Sequence, residues 1–198
     1  MTPEPISGRR PTKDELATFR GATVADLLPD RIRLLFVGIN PGLWTAAVNA
    51  HFARPGNRFW PAMHRAGLTS SLVDASRGLP SVDRAELLAK GIGITNVVPV
   101  ATARADELSR DELRAGGARL RAFVRRRHPA VVAILGVTAW RQAFDDSKAS
   151  LGPAEESFEG SSLWILPNPS GLNAHETVES LAERLRAVAD AAGIEPVR

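Results

Sequence analysis

The chain of 198 residues contains no cysteine. This absence excludes disulfide bonds, cysteine-bound zinc and cysteine-bound iron–sulfur clusters, and it fits a reducing compartment. The sequence also has no run of about 18 apolar residues, the length that a membrane-spanning helix needs. The segment from Met1 to Lys13 has no apolar centre, so we expect no secretory signal there. We therefore expect a cytoplasmic protein that does not bind a membrane.

Several motifs with well-defined chemistry are missing as well. No GxGxxG or GxxxxGK[S/T] segment is present, which argues against dinucleotide and P-loop nucleotide binding. No GxSxG segment supplies the nucleophile elbow of an α/β hydrolase. The four histidines form no HxxxH or HExxH pair, so we expect neither a metal site nor a cofactor.

The composition is that of an ordinary globular domain, with 44% apolar and 24% charged residues. Lys and Arg total 25 against 22 Asp and Glu, and the resulting charge of +3 permits a nucleic-acid partner without requiring one. The chain begins with a stretch that is rich in proline and charge and has no hydrophobic period. We therefore predict a flexible tail over residues 1–29 and one domain over residues 30–198.

Short apolar runs alternate with helical patterns along the rest of the chain. The apolar runs predict strands at 33–39, 92–98, 130–135 and 162–166. Caps and apolar spacing predict helices at 57–66, 109–127, 137–144 and 177–192. This alternation is typical of an α/β fold, here a three-layer α/β/α sandwich around a mostly parallel sheet. Ligands of such sheets bind beyond the carboxyl ends of the strands.

Two predicted strands are followed by similar loops, which contain Asn40 and Asn168. An amide donates and accepts hydrogen bonds, but it is neither a strong base nor an anionic nucleophile. Each Asn therefore either positions water or a polar ligand edge, or it shapes the turn itself. Phe52, in another predicted loop, either stacks on a planar ring or fills the core.

Six segments in one order resemble the mismatch-specific uracil-DNA glycosylase and thymine-DNA glycosylase family. They are GINPGL at 38–43, PGNRFW at 55–60, GIGITN at 91–96, ELRAGG at 112–117, AILG at 133–136 and LPNPSGL at 166–172. The resemblance implies an α/β/α sandwich and a monofunctional, metal-free monomer in the cytoplasm, associated with the nucleoid. Its partner would be double-stranded DNA containing uracil mismatches. The implied reaction hydrolyses the N-glycosidic bond of uracil opposite guanine and leaves an abasic site; etheno-cytosine and thymine are further substrates in the family.

The resemblance also implies roles for individual residues. Asn40 would position the attacking water, and Phe52 would stack on the flipped base. The rest of the base pocket would be formed by Ile39, Thr45 and Asn96. The wedge that enters the DNA stack would be formed by Gly171, Leu172 and Asn173.

Some roles stay open. Arg54 and Arg58, close to the pocket segment, are candidates for phosphate contacts, and the arginines of the 109–127 helix are further candidates. Asp83 or Asp106 are candidates to assist Asn40. The family resemblance implies a basic residue at or near Ala174, but this sequence continues Asn173-Ala174-His175. The selectivity for the base opposite uracil therefore stays open. Two other functions remain: a nucleotide-dependent transferase or oxidoreductase, and a protein that binds damaged DNA without cleaving it.

Overall fold

The protein is described by a computed structural model over residues 3–171, 173 and 176–197. Its strands are β1 (Leu34–Gly38), β2 (Ile92–Asn96), β3 (Val131–Leu135), β4 (Gly152–Pro153) and β5 (Ser162–Leu166). They form a sheet in the order β2-β1-β3-β5-β4. All neighbouring strands are parallel except the short edge strand β4, which runs antiparallel to β5. The predicted mostly parallel sheet is therefore confirmed.

Helices cover both faces of this sheet. They are α1 (Lys13–Thr18), α2 (Leu43–Val48), α3 (Phe59–Arg65), α4 (Ser81–Ala89), α5 (Arg110–Arg127), α6 (Val137–Phe144) and α7 (Val178–Ala191). Helices α3, α4 and α7 share one hydrophobic cluster with the sheet, and α5 and α6 share a second. The fold is thus the predicted three-layer α/β/α sandwich.

The strands have continuous apolar sequences because helices cover both faces of the sheet. Every residue of β1 is buried. Leu34 and Phe36 contribute to the first cluster, whereas Leu35 and Val37 contribute to the second. Because successive strand residues point to opposite faces, a strand covered on both sides needs apolar residues at every position.

Each predicted strand and helix is present, with ends that differ by one or two residues. The predicted capping box at the start of α5 is confirmed, since the Ser109 side chain accepts from the Glu112 backbone and the Glu112 carboxylate accepts from the Ser109 N–H. Helices α1, α2 and α4 and the two-residue strand β4 were not predicted. The first two helices have only six residues each, too few for a clear period.

A Gly pair in the middle of α5 brings this helix close to its neighbours. A Cβ atom at residue 116 would lie 2.5 Å from the carbonyl oxygen of Val97, and one at residue 117 would lie 2.8 Å from that of Ala143. Gly116 and Gly117 lower helix propensity, but they allow α5 to pack against the end of β2 and against α6.

The prediction of a flexible tail over residues 1–29 is wrong for its second half. Helix α1 begins with a capping box between Thr12 and Glu15. The backbone that follows pairs with Val100 and Ile94. The buried side chains of this stretch include Phe19, Ala22, Val24 and Leu27. Their apolar contacts with the α2 and 97–101 regions make the packing favourable, although their spacing has no helical or strand period.

Candidate active site

A cavity of about 440 Å³ opens at the carboxyl ends of the parallel strands, where ligands of such sheets bind. It is enclosed by the loops after β1 and β5, the end of β2, the segment around Phe52 and the segment 102–106. Of the predicted site residues, it brings together Ile39, Asn40, Thr45, Phe52, Arg54, Asn96 and Asn173. Leu172 lies outside the described residues.

Asn40 is held in one orientation. Its Nδ2 donates to the carbonyls of Pro41 and Val100, at 3.2 and 3.1 Å, and to Thr102 Oγ1 at 2.8 Å. The Thr102 hydroxyl donates its own proton to the Arg104 carbonyl at 2.7 Å, so it accepts from Asn40. Because all three partners accept, the amide nitrogen must face them. Oδ1 then has no hydrogen bond within the described part of the chain, and it is the atom that can hold a water.

Asn168 occupies the similar loop after β5 but uses its oxygen differently. Its Oδ1 accepts from the backbone N–H of Ser170 at 2.9 Å, an interaction that shapes the turn. The two loops are similar in sequence, but their asparagines have different roles. Asn168 supports its own loop, and Asn40 keeps an acceptor for a ligand.

Phe52 both packs and faces the cavity. Its ring stacks on Phe59 with centroids 4.1 Å apart and an angle of 28° between the planes. The residue is half-buried, lines the cavity and has a φ of +56°. A left-handed conformation costs a non-glycine residue roughly 1–2 kcal/mol, which the stack on Phe59 helps to offset. The rest of the ring is available to a planar ligand.

Asn96 is buried at the end of β2 and contacts His51. Its Nδ2 lies 3.3 Å from His51 Nδ1, and His51 Nε2 lies 3.1 Å from the Ala25 carbonyl oxygen. The Asn96 Oδ1 occupies space that a side chain at residue 38 would need, since a Cβ there would lie 2.5 Å away. Gly38 therefore makes room for this amide beside Phe52.

Ile39 and Thr45 also line the cavity. Ile39 follows β1 directly, and its carbonyl oxygen accepts from the Val98 N–H at 2.9 Å, which fixes the backbone there. Thr45 is buried on α2, one turn after the loop that carries Asn40. Their predicted contacts with a base stay a prediction.

The loop after β5 is fastened to the segment before α3 by Arg58. The Arg58 guanidinium donates to the carbonyl oxygens of Ser170 at 2.7 Å, Asn173 at 3.0 Å and Gly171 at 3.5 Å. Its backbone N–H donates to Pro169 at 2.9 Å. Gly171 is required at its position because a Cβ there would lie 2.6 Å from the Gly56 carbonyl oxygen.

Arg58, predicted as a phosphate contact, therefore also holds the loop after β5 in place. Arg54, in contrast, is exposed at the cavity and makes no side-chain hydrogen bond or ion pair within the described part of the chain. Arg54 keeps the predicted phosphate role as a proposal.

The two candidate carboxylates lie in different places. Asp83 is buried on α4 among residues that do not line the cavity, and burial raises its pKa. Asp106 lines the cavity, and its carboxylate accepts from Arg104, with Arg104 Nε at 3.0 Å. Within the described residues, Asp106 is the only acidic side chain on the cavity wall.

A model of the uracil DNA glycosylase superfamily matches residues 25–192. The chain belongs to this superfamily. Membership supports DNA glycosylase activity with DNA as the partner. The fold is also similar to the solution NMR structure of a Methanosarcina acetivorans protein proposed to be a uracil DNA glycosylase. The TM-score is 0.57 at 14% identity, over 85% of this chain and 98% of that one.

Most arginines of α5 are engaged within the protein, which favours a structural role over the alternative of DNA contact. Arg119 donates to the carbonyl oxygens of Asn96 and Val97, at 2.6 and 2.8 Å, and so holds the end of β2. The ion pairs of this helix join Arg114 to Asp145, and Arg121 and Arg125 to Glu159.

Two features are absent from residues 3–171, 173 and 176–197. No group of three or more His, Asp or Glu side chains is arranged to hold a metal ion. No helix of this part is both long and apolar enough to cross a membrane.

Proposed function

We propose that this superfamily member is a monofunctional uracil-DNA glycosylase of the mismatch-specific type. It flips uracil from a G·U pair and hydrolyses the N-glycosidic bond. The observation that carries the proposal is the Asn40 amide, whose nitrogen is held by three acceptors while its oxygen stays available in the cavity. Asn40 Oδ1 then accepts a hydrogen bond from the attacking water and aims it at the sugar.

The cavity suits a flipped pyrimidine. A base inside a duplex is out of reach, so it must leave the stack at a cost of a few kcal/mol, which is lower in a mismatch. Phe52 offers its ring for stacking, and Asn96 offers a polar edge beside it. The loop that Arg58 fastens supplies the groups that replace the base in the duplex.

Charge develops in two places as the bond breaks. The sugar becomes positive and the departing base becomes negative. Asn40 is neutral and gives the sugar cation no opposing charge. Asp106 supplies a carboxylate in the same cavity, where it is paired with Arg104. We therefore assign the water to Asn40 and part of the charge stabilisation to Asp106.

With a neutral residue at the water position, the rate depends on how well the base accepts negative charge. We expect single-turnover rates to rise from thymine to uracil to 5-fluorouracil opposite guanine, because the leaving group improves along this series. We also expect a first turnover faster than later ones, since the loop contacts retain the abasic product. Equal rates for the three bases, with rapid and repeated turnover, would contradict this assignment.

The activity is tested on duplexes that carry uracil, thymine or etheno-cytosine opposite guanine and adenine. Free base and an alkali-labile abasic site are the products to measure. A protein that binds these duplexes and leaves every base intact is a damage binder instead. A nucleotide-dependent enzyme would bind a nucleotide and none of the duplexes.

Replacement of Arg58 by alanine removes three guanidinium contacts from the loop after β5. We expect excision from a G·U duplex to fall about tenfold or more, because the loop no longer holds the position from which it enters the duplex. Excision of uracil in an unpaired bubble, which needs no wedge, should fall much less. Fluorescence of 2-aminopurine beside the uracil measures flipping directly.

Arg54→Ala is the matched control, since it removes an arginine that holds no loop. It should weaken DNA binding and the salt dependence of binding equally for both substrates. Equal losses on duplex and bubble for Arg58→Ala would show that the residue has no role in flipping.

A further inference from the structure

The hydrogen bonds of His51 define its tautomer. The carbonyl oxygen of Ala25 can only accept, so His51 Nε2, at 3.1 Å, carries the proton and donates it. Burial lowers the pKa of His51, which keeps the ring neutral near pH 7. Nδ1 of a neutral ring with a proton on Nε2 is an acceptor.

This tautomer determines how the neighbouring amide is oriented. Nδ1 of His51 lies 3.3 Å from the Asn96 side chain, and a lone pair at this distance requires a donor opposite it. Asn96 therefore turns Nδ2 towards His51. Its Oδ1 turns towards Gly38 and Phe52, and it makes no hydrogen bond within the described part of the chain.

We propose that His51 is a positioning residue that determines which end of the Asn96 amide faces the flipped base, and so selects uracil against cytosine. The inference rests on the proposed function and extends it to a residue outside the predicted site set. His51 and Asn96 are 45 residues apart in the chain, and no motif around His51 predicts their contact.

Uracil and cytosine present opposite patterns of hydrogen-bond donors and acceptors to the Asn96 amide. Uracil presents a donor at N3–H and an acceptor at O4, whereas cytosine presents an acceptor at N3 and a donor at N4. Asn96 as oriented offers Oδ1 as acceptor and the second Nδ2 hydrogen as donor, which matches uracil. Against cytosine, the same amide places acceptor against acceptor and donor against donor. A buried site that leaves polar groups mismatched rejects the wrong ligand strongly.

Protonation of His51 reverses this orientation. With a proton on Nδ1, the ring can only donate, so Asn96 must turn Oδ1 towards it and present Nδ2 to the base. Asp26 raises and Arg84 lowers the pKa of the ring. The other charged side chains on the two cavities that border His51 are Arg54, Arg77, Arg104 and Asp106. Burial lowers the pKa of His51. The Asn96 amide therefore reverses at a pH below the ordinary pKa of histidine, on the acid side of neutrality.

The test compares single-turnover excision from a G·U duplex between pH 5 and 8. His51→Leu, which has no acceptor, should excise uracil about tenfold more slowly than the wild type at pH 8. His51→Asn keeps an acceptor without titrating, so it should approach the wild-type rate at pH 8 and lose the decline that the wild type shows towards pH 5. His64→Asn, at an exposed histidine of α3, is the matched control and should keep the wild-type profile.

Nitrogen NMR of the His51 ring gives a second readout that does not depend on activity, and it should show the proton on Nε2 at pH 8. A proton on Nδ1, a wild-type rate for His51→Leu, or the same acid decline in His51→Asn would each overturn the inference. If the wild type excises no base at any pH, the proposed function fails, while the ring spectrum still decides the orientation.

Discussion

Replacement of Asn40 by alanine should lower single-turnover excision of uracil from a G·U duplex by about a thousandfold. The variant loses the only amide in the cavity wall, within the described residues, whose nitrogen is held by three acceptors and whose oxygen is left for a ligand. Binding of the duplex should change little, because phosphate contacts supply most of the affinity for DNA. Gel-shift titration and quench-flow measurement of base release separate these two effects.

The matched control is Asn49→Gly. Asn49 ends α2 in a left-handed conformation, with φ of +48°, and its Oδ1 accepts from the Ala25 N–H at 3.1 Å. Glycine keeps this conformation and removes an asparagine that does not line the active-site cavity. Excision at the wild-type rate is expected. Loss of base release in both variants would assign the effect to folding rather than to the water position.

Replacement of Asp106 by asparagine should lower the same rate by about tenfold to a hundredfold. The substitution preserves shape and removes the one acidic charge on the described cavity wall, so the sugar cation loses its opposing carboxylate. The effect is smaller than that of Asn40→Ala because Asp106 is exposed and solvent screens its charge until DNA covers the site. Single-turnover rates at saturating enzyme measure the loss directly.

Glu107→Gln controls for the loss of a negative charge from the same segment. Glu107 is paired with Arg20 and does not line the cavity. It should excise uracil at the wild-type rate. If Asp106→Asn does so as well, Asp106 only orients Arg104, and Asn40 acts without a carboxylate.

The layers of the fold could be predicted because parallel strands buried on both faces have a distinctive sequence. β1 and β3 are apolar at every position, β2 begins with the apolar run Ile92–Ile94, and each predicted helix carries a cap or an apolar face. The position of Asn40 followed from the same pattern, since the residues after parallel strands converge at one edge of the sheet.

The remaining features depend on contacts between residues far apart in the chain. Arg58 reaches the loop at Ser170, and His51 reaches Asn96, without any local signal in the sequence. The burial of Phe19 depends on small side chains of α2 that offer it space. The difference between Asn40 and Asn168 could not be predicted from the sequence either. It depends on which amide atom is bonded within the protein, Nδ2 in Asn40 and Oδ1 in Asn168.

The role of Asn40 in base release is measured most directly by following the fate of a single uracil. A G·U duplex is incubated with excess wild-type protein or Asn40→Ala, and free uracil and alkali-labile sites are quantified together. We expect stoichiometric uracil and abasic sites with the wild type, and a bound but intact duplex with the variant. Binding by the wild type without release of uracil, or equal release by both proteins, would contradict it.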